Sequence, residues 1–85
     1  MMKTKYSVEE IREEVRNMVA ELTECEPEEV TGTAHFMDEL EVDSLMAIEL
    51  MVSLDKKYGI DIPEEEFREI ENLNQAVEAV LKHMN

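Results

Sequence analysis

At 85 residues the chain is long enough for one domain, residues 1–85, near the lower limit for a core without staples. Its 22 acidic and 8 basic side chains give a net charge of −14, which argues against a nucleic-acid or membrane-surface protein and for partners with basic patches. Hydrophobic residues make up 44% but aromatics 5%, so the core must be assembled from Leu, Ile, Val, Met and Ala. The lone Cys25 excludes an internal disulfide, its acidic neighbours Glu24 and Glu26 discourage a reactive thiolate, and no Cys or His spacing marks a metal site. The basic N-terminus leads into no apolar signal segment and no run approaches membrane-spanning length, so a cytoplasmic, reducing setting is expected.

Ser7 and Glu10 have the spacing of a capping box, and Tyr6 with Ile11 that of a hydrophobic staple. Val8, Ile11, Val15, Met18, Val19 and Leu22 recur on one face, which predicts a first helix over 8–22. Residues 23–43 form a long connection for so small a domain. Within it, Pro27-Glu28-Glu29-Val30 suits a single helical turn stopped near Gly32, and Phe36, Met37 and Leu40 are apolar enough to pin the loop to the bundle, with Phe36 in the core. The run 38–43 is acidic but lacks the alternating ligands, central Gly and closing Glu of a calcium loop.

Asp43 is an N-cap candidate for a second helix over 44–58, which Gly59 ends in a left-handed cap, with Lys56 and Lys57 suited to the negative end of its dipole. Leu45, Ile48 and Val52 recur at helical spacing, and Ala47, Met51, Leu54 and Tyr58 widen that stripe; Ile48 reads as core. Residues 60–63 are an extended connector, and Pro63 fits the first position of a short third helix reaching about residue 70. Asn72 and Gln75 repeat the capping box for a fourth helix whose Leu73, Ala76, Val77, Val80, Leu81 and Met84 face inward. No strand pattern competes. The expected fold is all-α: a small four-helix bundle, three main helices and one short one, with a long loop between the first two.

Ser44 stands at the first turn of the second helix. An Asp-Ser pair before a helix is by itself a cap. The unpaired amides and the dipole at that helix end also favour an anion, including a phosphate bonded through the Ser44 oxygen. His35 and His83 read as surface residues, and no His or Lys is evident to activate Ser44, so no catalytic residue is assigned and the chain does not read as an enzyme.

The segment Glu39-Leu40-Glu41-Val42-Asp43-Ser44-Leu45-Met46-Ala47-Ile48-Glu49-Leu50 closely resembles the attachment-site region of acyl carrier proteins. Phe36 with Leu40, Tyr58-Gly59-Ile60-Asp61-Ile62-Pro63 and the closing Leu73-to-Leu81 helix resemble that family in the same order. The resemblance implies that Ser44 carries 4′-phosphopantetheine, delivered from coenzyme A by a phosphopantetheinyl transferase, and that its thiol holds acyl groups as thioesters for fatty-acid or polyketide enzymes. It further implies a monomer whose second helix meets acyl-loading and acyl-processing enzymes through Asp43, Leu45, Met46, Glu49, Val52 and Ile62. Met46 stands where carriers of general fatty-acid synthesis often have an acidic residue, and the motif looks more like carriers from polyketide pathways. Two alternatives stay open at this point. One is a carrier of aminoacyl or peptidyl groups such as D-alanyl; the other is an acidic helical adaptor without a prosthetic group, in which seven Met side chains support adaptable contacts.

Overall fold

In the computed structural model, residues 7–84 are described; Tyr6, and with it the expected staple, lies outside them. Helix α1 spans Val8–Thr23, and both halves of its capping box are formed, with the Glu10 amide donating to Ser7 Oγ and the Ser7 amide to Glu10 Oε1, each at 3.1 Å. The helix runs one residue past the expected end. Glu24 closes it in a left-handed conformation at φ 59°, a role usually given to Gly. Val8, expected on the inner face, is exposed, whereas Ile11, Val15 and Val19 are buried.

A 3₁₀ turn over Pro27–Glu29 follows, capped at Val30. Gly32 is therefore not its stop. A Cβ at residue 32 would meet Asn74 Oδ1 at 2.7 Å, so glycine serves there to let the loop approach α4. The loop is anchored by buried Val30, Ala34, Phe36 and Val42, with Leu40 half-buried. Met37, expected to help pin it, points outward because Phe36 already fills the inward position beside it. Backbone bonds finish the job: the Phe36 amide donates to the Glu71 carbonyl at 2.7 Å, the Asn74 amide to Gly32 at 3.1 Å and the Val42 amide to Phe36 at 2.9 Å.

Helix α2 spans Ser44–Tyr58 and ends on Gly59 at φ 65°, as expected. Only part of its apolar stripe turns inward. Leu50 and Leu54 are buried, Met46, Ala47, Met51 and Tyr58 are half-buried, and the stripe of Leu45, Ile48 and Val52 is exposed. Apolar residues surround this helix, so their spacing alone could not select the inner face, and Ile48 is corrected from core to surface.

Helix α3 is shorter than expected, Glu64–Phe67, with Pro63 as its N-cap. The Glu69 and Ile70 amides reach Glu66 and Phe67 at 3.1 and 3.0 Å, so the chain tightens into turns in place of a further helical turn. Helix α4, Leu73–His83, is capped by Asn72, whose Oδ1 accepts from the Gln75 amide at 2.9 Å. The return contact goes from Gln75 Oε1 to the Glu71 amide, one residue before the cap. Leu81, expected inside, is exposed, and Ala79 is buried on the inner face.

Helix α1 packs against both α2 and α4. The largest fully buried side chains, Ile11, Leu50, Leu54 and Leu73 with Val15, Val19, Val30, Val77 and Val80, form one aliphatic core, and each is worth roughly 1.5–3 kcal/mol on burial. The fold is a small all-helical bundle.

Candidate functional site

The approach to Ser44 is set by its neighbours. Glu41 adopts φ 60°, which turns the chain so that Val42 enters the core and Asp43 leaves it. Asp43 Oδ1 accepts from the Met46 amide at 2.8 Å and its carbonyl accepts from the Ala47 amide at 2.9 Å, so α2 begins sharply. Ser44 is the first residue of that helix and is exposed. Its hydroxyl therefore opens to solvent beside the first-turn amides and the positive end of the dipole of α2.

Beside Ser44 lies a cleft of about 330 Å³ between α2, the preceding loop and α3. Phe36, Met37, Val42, Ala47, Ile48, Leu50, Met51, Phe67 and Ile70 line it with apolar groups, and Glu64 and Arg68 are its charged lining residues. Those two pair with each other at 3.1 Å. The α3 wall is tied to α4 through Glu66, which lies 2.9 Å from His83 Nε2 and 3.4 Å from Lys82 Nζ. The hydrogen bond from His83, aided by Lys82, holds the Glu66 carboxyl below its ordinary value against a smaller opposing effect of desolvation. A larger hollow of about 520 Å³ lies at the opposite end of α2, among Glu14, Glu21, Glu24, Cys25 and Lys57; its charged walls and distance from Ser44 set it apart from this site.

The structure brings together Asp43 at the cap of α2 and Ser44, Leu45, Met46, Glu49 and Val52 along its first nine residues. Leu45, Glu49 and Val52 are exposed and Met46 is half-buried. Ile62 does not join them. It is 2% exposed, and its amide donates to Asp55 Oδ1 at 3.3 Å, so it fastens the connector to the core and offers no surface to a partner. Met37, Ile48 and Ile70 border the cleft without having been singled out for it, because no local pattern signals which apolar residues a tertiary gap will leave uncovered.

The site fits a phosphopantetheine group on two counts. An exposed hydroxyl at a helix start can bear a phosphodiester, and an apolar cleft next to it can take what the arm carries. Among the described residues no helix is long and apolar enough to cross a membrane.

Comparison with known proteins agrees. Residues 13–80 match the family described as the phosphopantetheine attachment site. The chain is similar to the polyketide-8 synthase acyl carrier protein 2 of Streptomyces avermitilis, 42% identical over 67 residues that cover 79% of this chain and 77% of that protein. It is also similar to an acyl carrier protein of Rubrobacter xylanophilus, 36% identical over 75 residues, 88% of this chain and 93% of that one. The solved structure of an acyl carrier protein from Enterococcus faecalis superposes with a TM-score of 0.80 at 24% identity, over 92% of this chain and 99% of that chain, which establishes the shared fold. This family is one of carriers rather than catalysts, and its members work with a phosphopantetheinyl transferase and biosynthetic enzymes. The chain belongs to the acyl carrier protein family, and it carries phosphopantetheine for fatty-acid or polyketide synthesis.

Proposed function

We propose that Ser44 is the attachment point of the arm, that residues 1–85 act as a single carrier domain, and that the α2 face next to Ser44 meets the enzymes. The observation that carries this reading is an exposed hydroxyl at the first residue of α2, at the edge of an apolar cleft, inside the matched segment. When attached, the arm supplies a thiol that holds an acyl group as a thioester. The protein's own part is to bind, shelter and present. Amides at the start of α2 favour the phosphate charge, and Asp43 holds the turn that keeps Ser44 outward. Phe36, Ile48, Met51 and Phe67 offer apolar surface to the first carbons of a cargo, at about 0.8 kcal/mol for each methylene buried.

Leu45, Met46, Glu49 and Val52 form the contact face, beside Asp43. The net charge of −14 supports enzymes with basic patches, drawn in by long-range attraction. Polyketide assembly is the preferred pathway: Met46 follows Asp43-Ser44-Leu45, and one of the similar proteins is a polyketide synthase carrier. A carrier that must pass between cytoplasmic enzymes works as a monomer.

The test is mass spectrometry after incubating the apo protein with coenzyme A, magnesium and a broad-specificity phosphopantetheinyl transferase. The wild type gains one phosphopantetheinyl group, while Ser44→Ala keeps its helical circular dichroism and gains none. Modification of Ser44→Ala, or none of the wild type, overturns the assignment.

A further inference from the structure

We infer that Arg68 discriminates among cargoes: its guanidinium, at the edge of the cleft beside Ser44, donates a hydrogen bond to the β-keto oxygen of a short acyl group. The carrier therefore shelters β-ketoacyl thioesters in preference to fully reduced chains of the same length. The inference rests on the reading of Ser44 as the attachment point and names the class of cargo that the same site takes.

Ser44 and Arg68 border the same cleft of about 330 Å³, one from the start of α2 and the other from the cap that ends α3. An arm rooted at Ser44 that folds into the cleft brings its acyl end between α2 and the α3 wall. Apart from Ser44, Glu64 and Arg68, the lining residues are apolar. Once the Ser44 hydroxyl is taken up in a phosphodiester, Arg68 is the one lining side chain that donates hydrogen bonds.

Arg68 has donors to spare. Its Nη2 lies 3.1 Å from Glu64 Oε2, the one bond its side chain makes among the described residues, and Nη1 and Nε remain. The two partners are 74% and 60% exposed, a surface pair that contributes little to the fold, so the guanidinium turns inward at small cost. Glu64 also decides which oxygen is welcome. It neutralises Arg68, so the edge of the cleft offers donors without net positive charge, on a chain that carries −14. A carboxylate cargo would be repelled by Glu64 and by that field, whereas a neutral keto oxygen accepts from the guanidinium without repulsion.

The size of the cleft limits the length of the cargo. At about 330 Å³ it stands near the lower end of the roughly 300–1,000 Å³ usual for ligand pockets. A short acyl group fits whole, and its β-oxygen then lies inside the cleft. A long saturated chain would overrun the space and leave the Arg68 donors without an acceptor.

The experiment loads apo wild type and Arg68→Met from acetoacetyl-, butyryl- and malonyl-coenzyme A with a broad-specificity phosphopantetheinyl transferase, and mass spectrometry locates the group. The readouts are the rate at which a small thiol removes the acyl group and the NMR resonances of the Arg68 guanidinium. Arg68→Met speeds loss of acetoacetyl roughly three- to tenfold and leaves loss of butyryl and malonyl unchanged, because only the keto cargo loses a hydrogen bond. Comparing variant with wild type for each cargo cancels the intrinsic reactivity of the thioester. Lys56→Met, at the far end of α2, changes none of the rates. The guanidinium resonances move in the acetoacetyl carrier and stay in place with butyryl or with the unacylated arm. Circular dichroism checks that each variant is folded. If Arg68→Met affects butyryl as much as acetoacetyl, or neither, Arg68 does not read the keto oxygen and the inference fails. It fails equally if malonyl is the cargo that Arg68 protects, or if the unacylated arm already moves the guanidinium resonances in full. In each of these cases Ser44 is modified and the attachment reading survives; no mass gain at Ser44 overturns both.

Discussion

Asn74 closes on Gly32 from across the molecule: its amide donates to the Gly32 carbonyl at 3.1 Å, and its side chain occupies the space where a Cβ on residue 32 would stand. Arg12 Nη1 donates to Asn74 Oδ1 at 2.7 Å, so that side chain cannot swing aside without losing a bond to α1. Gly32→Ala is therefore expected to destabilise the fold by about 1–3 kcal/mol through overpacking. Thermal melting followed by circular dichroism checks it. The same substitution in an Asn74→Ala background should cost distinctly less, and an equal cost would place the strain elsewhere.

Glu41 holds φ 60°, in the left-handed region that favours glycine, at the turn leading into Val42 and Ser44. A side chain there costs roughly 1–2 kcal/mol, partly offset by the greater unfolded freedom of glycine. Glu41→Gly should stabilise the protein by up to about 1 kcal/mol, raising Tm by several degrees, whereas Glu41→Val should lower it because a β-branched residue fits that region worst. A Tm ordering with valine above glycine would refute the strain.

Glu66 gives the fold a pH dependence of known sign. Its hydrogen bond with His83 and the charge of Lys82 depress its carboxyl below the ordinary 4.5. A depressed acid contributes stability that is complete above the unfolded value and is lost as pH falls through the folded one. The Tm difference between wild type and Glu66→Gln should thus be present at pH 5 to 6 and close as the pH drops below about 4.5. A difference that grows on acidification would contradict the His83 contact.

A chain of 85 residues with net charge −14 must repel itself, and a small core leaves little margin. Raising NaCl from about 0.01 M to about 0.15 M shortens the screening length from roughly 30 Å to roughly 8 Å. Tm should rise over that range. A flat or falling Tm would mean that self-repulsion does not limit stability.

What the sequence by itself determined is local. Helix starts follow from side chains that bond their own backbone within four residues and the stop of α2 from a glycine free to turn left-handed, so Ser7 with Glu10, Asp43, Asn72 and Gly59 could be read directly, and the Asp43-Ser44-Leu45 motif pointed to the candidate site. Where such chemistry was missing, as at Glu24, the helix end was not legible to the residue. The tertiary structure decided which apolar residues are covered. Met37, Ile48, Leu45 and Val52 stand outside and Ile62 inside, although all are equally apolar in sequence. Burial depends on which surfaces α1, α3 and the loop bring against each face, and that is decided only when those elements pack together. The same reason hid the cleft beside Ser44: it is a gap between elements, and no single element encodes it.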